Sequence, residues 1–308
     1  MGVDEELEYV VMASDGVVAE VVFPSPCTLG EGSLWDVEHQ ILYWVDIVDN
    51  KVYGFDPRNR SNLAFDVGES VGTVVVARNG QLALALRSGF AWLDRTTGVV
   101  AKIHDPEADQ PDTRFNDGKC DPQGRFWAGT MVEGGPPGRA ALYCLGPDLN
   151  VKKHLDGVTV SNGLVWTRDG RSLYYVDTPT HRVDCFDFDG VTGSISRRRV
   201  AVEVARELGS PDGMTIDEND RLWIALFHGS RVVCVDPGSA SIEFEVKVPA
   251  TNVTSCAFGG PELDELYITT ARVGLSADAL ANEPLAGSLF RAKVPARGVP
   301  SVRFDCDL

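Results

Sequence analysis

The chain has 308 residues, 44% of them hydrophobic, with 31 glycines, 17 prolines and a formal net charge of -17. That apolar content suffices for an extensive core, and the acidity argues against a nucleic-acid or anionic-membrane surface, which requires a basic patch. Arg197 to Arg199 is the one basic cluster, and a run of three reads as a solvated strand edge.

From the N-terminus, MGVDEELEYV is acidic where a signal peptide is basic and then apolar. The first 15 residues are expected to be loosely ordered, and nothing later approaches transmembrane length. Seven cysteines (Cys27, Cys120, Cys144, Cys185, Cys234, Cys256 and Cys306) form no CxxC pair and no zinc-ligand spacing. Several sit inside apolar strands and read as small buried residues, so a reducing, cytoplasmic setting is expected.

Val17 to Phe23 (VVAEVVF) reads as a strand, and after it one phrase recurs six times. It consists of a small or polar residue, an alternating apolar strand, a Gly/Asp/Asn turn, and a second strand rich in Leu, Trp and Tyr. The copies start at Glu31, Gly72, Asp117, Asn162, Asp212 and Thr254, between 41 and 50 residues apart. That is the period of a four-stranded propeller blade. The expected fold is all-β, a six-bladed β-propeller in one domain spanning residues 1–308. Its four-stranded blades surround a central channel. The last phrase is one strand short of four, so the N-terminal strand is expected to complete the last blade and shut the ring, which removes two open sheet edges.

Residues at one register of the innermost strands converge on the propeller axis. The ring would then hold Glu31, Gly72, Asp117, Asn162, Asp212 and Thr254, three carboxylates and an amide with no positive group among them. Buried carboxylates repel one another unless a cation neutralises them, so a bound metal is expected. Oxygen donors alone suit Ca²⁺, Mg²⁺ or Mn²⁺, and Zn²⁺ also accepts carboxylates.

Two other patterns are weighed and set aside. Gly68 to Gly72 fits G-x-S-x-G, but that nucleophile elbow needs a following helix, and an alternating hairpin follows here. The five histidines form no metal or triad spacing; His228, at the end of a second strand, is the one to watch. Glu203 to Leu208 is the nearest helical pattern and is short. Asp105 to Thr113 and Val273 to Pro284 read as loops at blade ends, where specificity is usually set.

Several stretches together resemble one family. LGEGSLWD (Leu29 to Asp36), RFNDGK (Arg114 to Lys119), DPQGRFWAGTM (Asp121 to Met131), SNGL (Ser161 to Leu164), PDGMTIDENDRLWIA (Pro211 to Ala225) and FGGPELDELYI (Phe258 to Ile268) are similar, in order, to signatures of the senescence marker protein/regucalcin/gluconolactonase family. VTSCAFGGPELDELYIT resembles its luciferin-regenerating branch. The resemblance covers about residues 20 to 295. It implies a six-bladed propeller holding one divalent cation on Glu31, Asn162 and Asp212, and hydrolysis of sugar lactones with Asp212 as general base. It also implies that Arg114 and Asn116 contact substrate. Asp117 falls on the ring but matches no family ligand, so it is expected beside the site. Mammalian members carry consecutive acidic residues after AGTM, the second of which helps bind sugar. This chain has Glu133 at the neighbouring position, in a shorter and stiffer loop.

The expected partner is therefore a small-molecule lactone or related ester, with the protein a monomer or weak homodimer. A regulatory calcium-binding protein would need the metal ligands but neither Arg114 nor Asn116. A propeller used as an interaction scaffold would need no convergent carboxylates. Among enzymes, a phosphotriesterase or a luciferin-regenerating role is the alternative.

Overall fold

Each repeated phrase folds into one antiparallel sheet, because its alternating apolar runs are separated by short turns, four or five residues between the first and second strand of every blade. The computed structural model describes residues 16–306, so the expectation for the first 15 residues lies outside the described residues. Six sheets follow in chain order, their first strands being Gly30–Asp36, Val71–Val76, Thr113–Cys120, Ser161–Trp166, Ser210–Ile216 and Asn252–Gly259. First strands of adjacent blades contact one another around the ring, which makes them the innermost strands of a six-bladed β-propeller.

Aromatic side chains fill the seams between blades. Phe90 meets Phe115 with ring centroids 4.8 Å apart, Trp127 meets Trp166 at 5.8 Å, Trp223 meets Phe258 at 5.4 Å, and Trp35 stacks on Tyr267 at 5.3 Å. Large rings bury much apolar area per residue, which suits wedge-shaped interfaces between twisted sheets.

The N-terminal closure is present, with one difference from expectation. Glu20–Phe23 pairs antiparallel with Leu289–Lys293 and completes the sixth blade. Gly16–Val18 instead pairs in parallel with Ser241–Lys247, as a fifth strand on the fifth blade. The single strand expected over Val17 to Phe23 is thus two strands that break at Ala19, whose N–H donates to Lys247 O at 2.8 Å.

At the end of the channel away from the ring residues, the C-terminal segment crosses from blade to blade. Gly298 pairs with Asp217, Arg303 donates to Asp36 Oδ1 at 2.6 Å, Phe304 pairs with Ala77, and Asp305 N–H donates to Gly124 O at 2.8 Å. In the third and fifth blades an aspartate after the first strand holds an Arg and a Trp of its own turn: Asp121 with Arg125 and Trp127, and Asp217 with Arg221 and Trp223. The first blade has no such arginine, and Asp36 takes Arg303 from the C-terminal segment instead.

Within Val273 to Pro284, read as loop, Ala277–Asn282 forms a short α-helix capped by Ser276, whose hydroxyl accepts from Ala279 N–H at 3.2 Å. Arg206–Leu208 is a single 3₁₀ turn. All seven cysteines are buried, and among the described residues none is joined in a disulfide. Among the described residues no helix is long and apolar enough to cross a membrane.

Candidate active site

A β-bulge in every innermost strand aims the ring residues inward. Pairing with the second strand slips between Glu31 and Leu34, Val71 and Thr73, Phe115 and Gly118, Asn162 and Leu164, Pro211 and Met214, and Val253 and Ser255. A bulge leaves the extra residue outside the ladder and re-aims its side chain; Gly72, Asp117, Asp212 and Thr254 lie inside their slips, while Glu31 and Asn162 are the last paired residues before theirs. Small residues follow the functional ones for steric reasons. Gly32 has φ +59°, and its N–H donates to Glu31 Oε2 at 2.9 Å; a Cβ on Gly163 would stand 2.6 Å from Asp212 O. Aspartates closing the second strands brace the approach to the ring. Asp46 accepts from the N–H groups of Thr28 and Leu29 at 2.8 and 3.0 Å, and Asp177 from Val160 N–H at 2.9 Å.

Glu31, Asp117, Asn162 and Asp212 are all buried. Glu31 and Asp212 are close enough for their carboxyls to share a hydrogen bond. Burial pushes the Glu31 carboxyl up to about 8, and the charge of Asp117 adds to the effect. Burial, then the charges of Glu31 and Asp117, raises Asp212 well above the usual carboxylate range. Asp117 is raised by burial against the pull of Lys119 and of Gly118 N–H, which donates to it at 2.7 Å.

A chain of hydrogen bonds runs from the ring to the mouth. Asn162 Nδ2 donates to Thr178 Oγ1 at 2.9 Å, and Thr178 in turn donates to Pro211 O at 2.8 Å. Asn116 Nδ2 donates to Ser161 O at 2.8 Å and to Asn162 Oδ1 at 3.3 Å. Arg114 Nη1 donates to Asn116 Oδ1 at 2.9 Å, and Arg114 Nε to Glu133 Oε1 at 2.7 Å. The sequence-derived residues Arg114, Asn116 and Glu133 therefore form one connected set with Asn162, while Glu31, Asp117 and Asp212 form an adjoining carboxyl group.

Thr254 belongs to the ring by register but donates to Gly30 O at 2.5 Å, joining the sixth blade to the first. Ser70 precedes a strand rather than a helix, so the G-x-S-x-G match is not an elbow. His228 stands exposed in a turn against Phe227.

Three residues of the site escape sequence reasoning. Lys119 is half-buried two residues after Asp117 and donates from Nζ to Met214 O at 2.8 Å; desolvation lowers its basicity and Asp117 sustains it. Thr178 orients Asn162, and Arg87 reaches Glu133. Arg87, Glu133, Thr178 and His228 each directly follow a second strand or its last paired residue, at the ring end of their blades. Aligning the second strands by register, as the first strands were aligned, would have revealed this outer rim.

Asp212 Oδ1 is buried without a hydrogen-bond partner. Such an orphaned acceptor beside a second carboxyl and an amide oxygen fits a hard cation, which takes oxygen donors. Among the described residues no three His, Cys, Asp or Glu side chains gather at metal-ligand spacing. The donor set that fits is two carboxylates with the Asn162 amide.

Fold and site together define a six-bladed β-propeller with a polar, acid-lined channel. The chain belongs to the SMP-30/Gluconolactonase/LRE-like family, whose model matches residues 29–272. It is 39% identical over 290 residues to regucalcin of Danio rerio, covering 92% of this chain and 97% of that protein. It is also 39% identical over 280 residues to the Bacillus subtilis (strain 168) protein named "Putative sugar lactone lactonase YvrE", covering 91% and 96%. A solved luciferin-regenerating enzyme superposes with a TM-score of 0.87 at 33% identity, covering 94% of this chain and 99% of that one.

Proposed function

We propose that this chain is a divalent-cation-dependent hydrolase of sugar lactones, with Glu31, Asn162 and Asp212 as the residues that would hold the cation. The observation that carries the reading is the buried, unpartnered Asp212 Oδ1 beside Glu31, adjoining a hydrogen-bonded path that runs from Arg114 through Asn116 to Asn162. The name of the Bacillus subtilis relative, a sugar lactone lactonase, supports it. A bound cation supplies Lewis acidity toward the lactone carbonyl.

The protein's own groups do the rest. Asp212, whose carboxyl burial makes more basic, accepts the proton of the attacking water. Asn116 offers both a donor and an acceptor to sugar hydroxyls. Arg114, held in place by Glu133 and Phe115 O, directs its remaining donor toward the oxygen that gains charge as the ester opens. Asp117 and Lys119 beneath the ring hold opposite charges near one another, which tunes the field on Asp212.

The test is hydrolysis of glucono-1,5-lactone, followed by proton release, after chelation and with Ca²⁺, Mg²⁺, Mn²⁺ and Zn²⁺ added back singly. Cation-restored turnover, lost in Asp212→Asn with an unchanged circular dichroism spectrum, is the expected result. Absence of turnover in a protein that binds calcium would favour a regulatory calcium-binding role, and turnover that survives in Asp212→Asn would remove that residue as the base.

A further inference from the structure

At the mouth of the channel two guanidinium groups share one carboxylate. Arg114 Nε donates to Glu133 Oε1 at 2.7 Å, and Arg87 Nη2 donates to Glu133 Oε2. Arg114 Nη1 is engaged by Phe115 O and Asn116 Oδ1, both at 2.9 Å, and Arg87 Nη1 has only a long 3.5 Å contact to Pro111 O. Arg114 Nη2 and Arg87 Nε thus donate to no protein acceptor among the described residues.

The surrounding charges do not cancel this surplus. Arg139 and Asp112 nearby pair with each other at 3.1 Å. Partial burial opposes ionisation of Glu133, but Arg114 and then Arg87 more than offset it and hold the carboxyl below its usual range. Glu133 is therefore ionised, and two positive charges face one negative charge. The remaining Arg114 donor serves the reacting ester, and the Arg114 side chain is 6% exposed; that of Arg87 is 40% exposed, so the donor open to a second group of an incoming ligand is that of Arg87. Deeper in the channel, Lys119 and one divalent cation would balance the three carboxylates of Glu31, Asp117 and Asp212, so a loaded site would not repel an anion above it.

Guanidinium donors without protein acceptors recognise carboxylate and phosphate oxygens, which accept without donating. We infer that the site prefers sugar lactones bearing an anionic group, a carboxylate or a phosphate, at the end of the carbon chain remote from the lactone carbonyl, and that Arg87 sets this preference. The inference rests on the lactonase reading. It also gives Glu133 a different task from accepting sugar hydroxyls: it draws two arginines together and leaves the mouth with a net positive charge.

Two matched pairs of substrates test it on the full chain with the activating cation. Glucaro-1,4-lactone against glucono-1,4-lactone isolates a carboxylate, and 6-phosphoglucono-1,5-lactone against glucono-1,5-lactone isolates a phosphate. At least one anionic member should show a kcat/KM higher by roughly tenfold, mainly through KM, as a charge-assisted hydrogen bond provides. Which pair shows it identifies the anion. The advantage should shrink as salt rises, fall close to parity in Arg87→Gln, and return in part in Arg87→Lys, with thermal melting showing that both variants are folded. Parity or a preference for the neutral member in both pairs, or a preference untouched by Arg87→Gln, overturns the inference while leaving the lactonase reading intact. If none of the four lactones is hydrolysed with any cation, the lactonase reading falls and the inference falls with it.

Discussion

Glu31 and Asp212 combine burial with mutual repulsion, and that combination makes the site sensitive to pH. In an unfolded chain both carboxyls titrate near 4; in the fold Glu31 is pushed up to about 8 and Asp212 is also raised. Between those values the folded state binds more protons than the unfolded one, so stability is full below about 4 and is lost as pH rises toward about 8. With chelator present, the thermal midpoint should fall from pH 5 to pH 8, and saturating Ca²⁺ should restore it at pH 8. A flat profile in chelator would contradict the raised carboxyls. These ring residues were legible in the sequence because Gly, Asp and Asn turns mark the register of each repeat, and register alone places Glu31, Asp117, Asn162 and Asp212 on one axis. Arg87 was not legible, since its meaning lies in Glu133, 46 residues away, in a loop that repeats nowhere else. Lys119 was hidden in the same way, read as part of a signature rather than as the half-buried cation beneath the carboxylates.

Among the elements, the C-terminal segment from Gly298 to Cys306 has no counterpart in the repeat and no alternating pattern, so nothing in its sequence announced a role. Its importance comes from what the first blade lacks. Asp36 is buried like Asp121 and Asp217, yet the guanidinium that answers it arrives from Arg303. Burial works against ionisation of Asp36, while the Arg303 and His39 contacts hold its carboxyl below the usual range. Removing one partner of a buried pair leaves an uncompensated charge. Arg303→Ala should therefore lower unfolding free energy by about 1–3 kcal/mol, measured by urea denaturation. The equivalent change at Arg171, exposed and 4.0 Å from Asp169, should cost less than about 1 kcal/mol. Equal effects at the two sites would show that Arg303 is an ordinary surface arginine. The split of Val17 to Phe23 was equally invisible: VVAEVVF is almost continuously apolar, and only the two edges it meets decide where it breaks.

For the whole molecule, ring closure joins residues near the start of the chain to residues near its end. Deleting the chain through Phe23 would expose the outer edges of Leu289–Lys293 and Ser241–Lys247 together. Unpaired edges are templates for association. The truncated protein should melt several degrees lower, as a loss of about 1–2 kcal/mol implies for a chain of this size, and should form larger species in size-exclusion chromatography. A monomeric truncation with unchanged melting would show that the hydrogen bonds of the remaining sheets suffice.

The same seam dictates an order of assembly on the ribosome. The strand that finishes the sixth blade is made before any of the six repeats, and the edge it pairs with, Leu289–Lys293, is made after them, followed by the crossing segment that carries Arg303. Throughout synthesis the N-terminal strands must wait with their backbone groups facing water, while five sheets form one after another beside them. The ring of blades cannot close until Leu289–Lys293 has been made and has met Glu20–Phe23, so a chain that stops short of that strand has blades around an open channel.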